Sequence, residues 1–161
     1  MKINHSLTFD NFKIGKYNEF AYVAVTNYIS YSIVVIYGES GAGKTHLLNA
    51  LANEVQNNIL SMHYMDMDEF TKMMSNKNNK LYIEQYSSYE LLIIENLQKI
   101  PSDNKIQHTL KSIIEKRIEN GKHTIVSSQT NPSELDGLDE SLEWILNDGI
   151  TTNIIAPQNI G

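Results

Sequence analysis

Cysteine is absent from the 161-residue chain, which excludes disulfides and thiolate metal sites. Long apolar runs are missing too. No stretch approaches the roughly 20 residues needed to span a bilayer, and the N-terminus lacks the basic-then-apolar pattern of a signal peptide. The expected compartment is therefore the cytoplasm, with no membrane partner. Positive charge is also scarce: the formal net charge is −6 and the sequence pI is about 5.3. A protein whose main surface binds nucleic acid needs clustered Lys and Arg to release counterions. Direct duplex DNA binding is not expected, although a small local patch stays open. The five histidines (His5, His46, His63, His108 and His123) are too scattered to show metal-ligand spacing. No repeat period or low-complexity tract interrupts the chain, and its length suits one domain with a real core.

What the sequence does contain is concentrated between residues 33 and 46. Ile33-Val-Val-Ile-Tyr37, rich in β-branched residues, reads as a buried strand. It runs into Gly38-Glu39-Ser40-Gly41-Ala42-Gly43-Lys44-Thr45-His46, which matches the P-loop pattern GxxxxGK(S/T) without a mismatch. The glycines let successive backbone N–H groups turn inward around phosphate oxygens. Lys44 can reach the β- and γ-phosphates, and the Thr45 hydroxyl can ligate Mg²⁺. The helix beginning at the lysine adds the positive end of its dipole. A glycine-rich turn can also be a plain strand-to-helix connection. Here all four fixed positions are filled in a strand-loop-helix context, and ATP or ADP with Mg²⁺ is the implied ligand.

The flanking segments alternate between helical and strand patterns. Residues 7–15 read as an extended arm lying on the domain. A short helix is expected from Lys16 to about Tyr28, with Phe20, Ala21, Ala24 and Val25 inward and Asn18 as an early cap. Leu47, Leu48, Leu51 and Val55 continue one face of the P-loop helix. Met62–Met65 reads as a strand, followed by an acidic helix start at Asp66–Phe70. Residues 75–80 form a polar loop expected to be mobile. A helix from Leu81 to Tyr89 then turns Tyr82, Ile83 and Tyr86 inward, and these aromatics serve either packing or nucleobase stacking. Leu91–Glu95 is a continuously apolar strand ending in an acid. Asp103 can cap a long helix with an Ile106, Leu110, Ile113, Ile114, Ile118 stripe, ending at Asn120-Gly121. Thr124–Ser128 is another strand, residues 138–146 a short helix, and Ile150–Ile155 the last strand. This alternation predicts an α/β fold with a five-stranded, mostly parallel sheet and helices on both faces. In such sheets ligands sit beyond the carboxyl ends of the strands. The P-loop, Glu95 with Asn96, and Ser127 to Gln129 all fall there.

Several of these stretches together resemble the ATPase domain of the bacterial replication initiator DnaA. They are Leu7-Thr-Phe-Asp-Asn-Phe-Lys-Ile-Gly-Lys-Tyr-Asn-Glu-Phe-Ala-Tyr22, Ile36-Tyr-Gly through Gly-Lys-Thr-His-Leu-Leu-Asn-Ala50, Asp68-Glu-Phe-Thr71, Leu91 to Gln98, Ser127 to Leu135 and Gly137-Leu138. The resemblance spans nearly the whole chain and implies a P-loop NTPase fold of the AAA+ type. It divides the chain into an arm and adenine-pocket helix (1–30) and a P-loop core (31–155). It also implies that Phe12, Ile14 and Asn18 border the adenine, that His46 belongs to the nucleotide site, and that Gln129 senses the γ-phosphate.

Three departures from the family pattern bear on activity. The family carries two adjacent aspartates after the third strand, where this chain has Glu95 and Asn96. Glu95 can still hold Mg²⁺ directly or through water; Asn96 can orient a water but cannot take its proton near neutral pH. A shifted register would put Ile94 at the metal position and break the Asn96-Leu97-Gln98 match, and is rejected. The family's arginine finger is missing from Glu140–Gly149, which removes catalysis in trans. A helical lid and a helix-turn-helix DNA-binding domain follow in the family; neither is expected here, whether the chain is complete or a piece of a longer initiator. The loop at 75–80 is short beside the family's inserted helix that contacts single-stranded DNA.

Three functions fit these features. The first is a nucleotide-binding regulator of replication that engages the initiator or the helicase-loading machinery, joining a nucleotide-dependent oligomer by one face only. The second is a minimal initiator or loader ATPase with water placed by Asn96 and Gln129. The third is an interaction module whose nucleotide is purely structural.

Overall fold

The computed structural model describes residues 2–58 and 60–156. Five strands, β1 (Ile33–Tyr37), β2 (Met62–Asp66), β3 (Leu91–Glu95), β4 (His123–Ser128) and β5 (Ile150–Asn153), form one sheet in the order β2-β3-β4-β1-β5. Every pairing is parallel, so the sheet is wholly rather than mostly parallel. β5 is shorter than the apolar pattern predicts. Ile154 N still donates to Tyr37 O at 2.8 Å, but Ile155 N donates to Tyr17 O at 3.0 Å. The chain thus leaves the sheet edge toward the arm.

Six helices cover the sheet: α1 (Glu19–Thr26), α2 (Lys44–Asn57), α3 (Met67–Met74), α4 (Lys80–Ser88), α5 (Asn104–Glu119) and α6 (Glu140–Leu146). Successive strand residues point to opposite faces, and β1 shows what that demands. Val34 and Ile36 enter a core shared with α1 and α2, whereas Ile33 and Val35 enter a second core shared with α3 to α6. With both faces covered, a continuous apolar run is the only pattern that fits. Asp66 caps α3 by accepting from Glu69 N at 2.9 Å, and Asp103 caps α5 by accepting from the N–H groups of Lys105 and Ile106. After α5, Gly121 takes a left-handed φ of 69°, the conformation that ends a helix at least cost with glycine.

Two expectations near α1 are corrected. Phe20 points outward and is 73% exposed, while Ala21, Ala24 and Val25 form the buried face. Asn18 precedes the helix without capping it. Its Oδ1 accepts from Gly15 N and its Nδ2 donates to Lys13 O, both at 2.9 Å. The side chain closes the turn before the helix, a local alternative that Asn offers in competition with capping. The arm is held against α2 by polar side chains. Asn4 N donates to Asn49 Oδ1 at 2.7 Å, Asn53 Nδ2 donates to Leu7 O at 2.9 Å, and Phe12 packs on Tyr22.

Residues 75–79 form a hydrogen-bonded turn, with Asn79 Nδ2 donating to Met74 O at 3.0 Å. The aromatic cluster beyond it is committed to packing. Tyr86 is buried in the second core, and Tyr86 and Tyr89 each stack on His63 with centroids 5.3 Å away. His63 Nε2 lies 2.8 Å from Glu69 Oε2. The chain's one arginine, Arg117, is completely buried on α5. Its guanidinium donates to Thr124 Oγ1 and to the carbonyls of Tyr86, Tyr89 and His123 at 2.7 to 2.8 Å.

Candidate nucleotide-binding site

The loop after β1 is shaped by two different steric demands. Gly41 and Gly43 take φ of 85° and 107°, a region that side chains rarely adopt. Gly38 has no such φ; instead, a Cβ there would fall inside van der Waals contact of the Ile154 backbone oxygen and side chain. The first loop glycine is therefore required by the chain leaving β5. Gly38→Ala should cost about 1–3 kcal/mol, in the range of overpacking, and a urea denaturation curve at constant slope would measure it.

Lys44 opens α2 and folds back over the loop. Its ammonium donates to Gly38 O and, at 2.9 Å, to Glu39 O. Burial pulls the ammonium below its ordinary pKa, and the nearby Glu95 opposes that fall. Thr45 is exposed at the mouth, and its hydroxyl draws the Glu95 carboxyl's pKa down against the rise that burial causes. Glu95 itself, at the end of β3, is 2% exposed. Burial pushes its carboxyl above the usual range, against the hydroxyls of Tyr64 and Thr45 and the Lys44 charge.

One oxygen of Glu95, Oε1, is buried with no hydrogen-bond partner. Leaving a buried acceptor unpaired costs about 1–3 kcal/mol, so the atom marks a place made for something else. A divalent cation fits it. Mg²⁺ takes oxygen ligands, commonly one or two carboxylates completed by substrate phosphates; Thr45 and Glu95 supply oxygens beside the loop. No cluster of three or more His, Asp or Glu that could hold a metal by itself occurs among the described residues.

A prediction follows from the direction of the Glu95 shift. With its folded pKa raised, the stability it contributes is fully present below the ordinary carboxylate pKa and is lost as pH rises through the folded value. Glu95→Gln should therefore melt higher than the parent at pH 8, by about 1 kcal/mol, with a smaller gap at pH 5. Thermal melts at the two pH values without nucleotide would check this.

Three residues in this network are not evident from motif reading. Tyr64, on β2, is near enough to Glu95 for its hydroxyl to draw the carboxyl's raised pKa down, and it accepts from Asn49 Nδ2 at 3.1 Å. Asn49 also donates to Thr45 O at 2.7 Å, joining arm, P-loop helix and acid. Gln98 bridges the third and fourth strand ends. Its Nε2 donates to Asn96 Oδ1 at 3.2 Å, and its Oε1 accepts from Gln129 N at 3.0 Å. Asn96 takes a φ of 65°, the one left-handed non-glycine residue among those described, and its N–H donates to Ser127 Oγ at 3.2 Å.

The sequence candidates converge on two adjoining clefts. One, of about 240 Å³, is lined by Ser40, Gly41, Gly43 to His46, Asn96 and Gln129. The other, of about 270 Å³, lies between the arm and the loop and includes Phe12, Tyr17, Asn18, Ala42 and His46. Ile14, which is 53% exposed, lines neither, nor do Glu95 and Gly38, the latter facing a neighbouring cleft with Glu39 and Gln129. The His46 ring is engaged by the arm, with Nε2 2.9 Å from both Thr8 O and Asn11 Oδ1.

Strand β4 separates β3 from β1, so an acid ending β3 faces the P-loop across the polar end of β4. That order, with the helices divided between two faces, defines a P-loop domain of the AAA+ class. Within the class, the family model of the bacterial DnaA ATPase domain matches residues 3–153, and the chain belongs to that family. It is 34% identical to the chromosomal replication initiator DnaA of Mesoplasma florum and 37% identical to that of Mycoplasma capricolum, over 94% and 95% of its own length. It spans 37% of the length of each of these relatives. The AMPPCP-bound DnaA structure from Aquifex aeolicus superposes with a TM-score of 0.89 at 28% identity, covering 94% of this chain and 51% of that one.

Proposed function

We propose that the domain binds ATP or ADP with Mg²⁺ and acts in the initiation or regulation of DNA replication, with slow hydrolysis at most. It does so by engaging a replication initiator or the helicase-loading machinery. The observation that carries this reading is an asymmetry: the phosphate cradle is complete, while the chain's one arginine is locked in the interior by four hydrogen bonds. Backbone N–H groups of the loop beyond Gly38, whose own N–H is held by Ser128 O, donate to phosphate oxygens, and Lys44 exchanges its loop carbonyls for them. Phe12 and Asn18 border the adenine, His46 holds the arm over it, and Gln129 senses the γ-phosphate. Thr45 and Glu95 would hold Mg²⁺, which would supply positive charge to the phosphate oxygens. Asn96, fixed by Gln98, can orient a water but cannot serve as its base. A subunit of this kind presents nucleotide to a partner's arginine and has none to offer in return.

Titration with a fluorescent ATP analogue, paired with a phosphate-release assay, tests the reading. Binding is expected with release no faster than that of Lys44→Ala. Release well above that control would favour a minimal ATPase that works with water placed by Asn96 and Gln129. A nucleotide that raises the melting temperature yet leaves capture of purified initiator unchanged would favour a structural role.

A further inference from the structure

Charge is distributed very unevenly along this chain. Residues 1–122 carry thirteen acidic and thirteen basic side chains and are neutral. Beyond Lys122 there is no Lys or Arg, so the whole net charge of −6 comes from Glu134, Asp136, Asp139, Glu140, Glu143 and Asp148. All six lie on α6 and the turns beside it, and none forms an ion pair among the described residues.

In their midst stands Trp144, the only tryptophan in the chain, 80% exposed. A large amphipathic ring left in water is informative where a single exposed aliphatic residue is not. α6 buries Leu142 and Leu146 completely against the second core, and Trp144 projects from its other side. The platform is rigid. Gln107 on α5 donates to Gly137 O and accepts from Asp139 N, both at 2.7 Å. Asp139 accepts from Ser141 N at 3.2 Å, and the Ser32 hydroxyl donates to Asp148 Oδ2 at 2.9 Å.

We infer that α6 and its flanking turns form a docking surface for a polypeptide that presents arginine or lysine beside apolar side chains, with the Trp144 indole as its central anchor. Charge complementarity selects this occupant. A segment with six acids and no Lys or Arg disfavours nucleic acid and anionic lipid, whereas an indole face attracts a cation, more so once water is excluded. Tryptophan surrounded by hydratable groups is also the composition of an interface hot spot. A second copy of this chain is a poor match. Its arginine is interior, and its twelve lysines are outnumbered by the thirteen acids of the same stretch, residues 1–122. Glu134, at the border of the surface, lines a cleft with Gly38, Glu39 and Gln129, but α6 itself, which carries Trp144, Glu140 and Glu143, packs in the α3–α6 layer, away from the α1–α2 layer that carries the P-loop helix, so the inference does not require bound nucleotide.

Because Trp144 is the only tryptophan, its emission reports directly on the surface. The probe is a fluorescein-labelled amphipathic peptide with Arg and Leu on one helical face, compared with the same peptide carrying Gln for Arg. The arginine peptide is expected to shift Trp144 emission and to bind by anisotropy; the glutamine peptide is not. Trp144→Ala, and Glu140→Lys with Glu143→Lys, should each weaken binding at least tenfold. Glu84→Lys with Glu119→Lys, an equal charge change at exposed positions elsewhere, should change it less than twofold. Circular dichroism confirms that every variant is folded. Equal weakening by the two double reversals, binding indifferent to Trp144, no peptide binding at micromolar concentration, emission changes with an oligonucleotide, or Trp144-dependent self-association would each overturn the inference.

Discussion

Arg117→Leu is expected to destabilise the domain by roughly 3–5 kcal/mol, a large share of the 5–15 kcal/mol typical of a whole protein. Three backbone carbonyls and the Thr124 hydroxyl all depend on the one guanidinium. Leucine fills comparable apolar space but leaves those acceptors in the interior, each costing about 1–3 kcal/mol when unsatisfied. Against this stands the relief of no longer burying a charge, since burial already pulls the Arg117 pKa to about 10. Four orphaned acceptors outweigh one relieved charge. The guanidinium stays protonated in both folded and unfolded states well above neutrality, so urea curves at pH 6 and pH 8 should show the same loss. Arg117→Lys should fall between, because an ammonium cannot reach the ends of α4 and β4 together with the fork geometry of arginine.

This residue also shows what sequence could and could not reveal. The stripe on α5 was read from its aliphatic members, Ile106, Leu110, Ile113, Ile114 and Ile118. Position 117 belongs to the same buried face as Leu110, Ile113 and Ile114. An arginine on an apolar stripe, in a chain with no other, was the available signal. The five strands were legible because parallel sheets covered on both faces demand unbroken apolar runs. Their order was not, because pairing is a property of the tertiary fold. Phe20 misleads because it sits one position before Ala21 on a helix, at the margin of the buried stripe, where periodicity alone does not decide which way it turns. β5 ends early because Ile155, one residue past Ile154's last bond to β1, is drawn to the arm by Tyr17, about 138 residues back in sequence.

The candidate site divides along the same line. The P-loop is a local pattern whose glycines and lysine act through adjacent backbone, so it is readable from a single stretch. Glu95 was found because it ends an apolar strand. Tyr64, Asn49 and Gln98 are not legible in the sequence because each has a partner on another element. A tyrosine inside Met62–Met65 reads as ordinary strand filling until the fold sets its hydroxyl against Glu95. Gln98 reads as a turn residue until β4 delivers Gln129 beside it. Such links show in a sequence only as polar residues at otherwise apolar positions.

Lys44→Ala should abolish nucleotide binding and leave the fold nearly untouched, the reverse of Arg117→Leu. Both residues are buried cations, but they are anchored differently. Arg117 satisfies acceptors that have no alternative, whereas Lys44 rests on Gly38 O and Glu39 O at the edge of an open cleft, where water can replace it. Its burial is a standing cost, visible in the downward shift of its pKa, and losing it should change stability without nucleotide by less than about 1 kcal/mol. With nucleotide the contrast is large. At a ligand concentration 100 times Kd, binding stabilises the parent by about 2.7 kcal/mol, which for a chain of this size raises Tm by several degrees. The variant lacks the only cation the P-loop itself contributes and should show no shift at the same concentration, with affinity weakened at least a hundredfold. Melting curves of both proteins with and without ATP and Mg²⁺ give the result directly, and a variant that kept the parent's nucleotide-induced shift would move the binding site away from this loop.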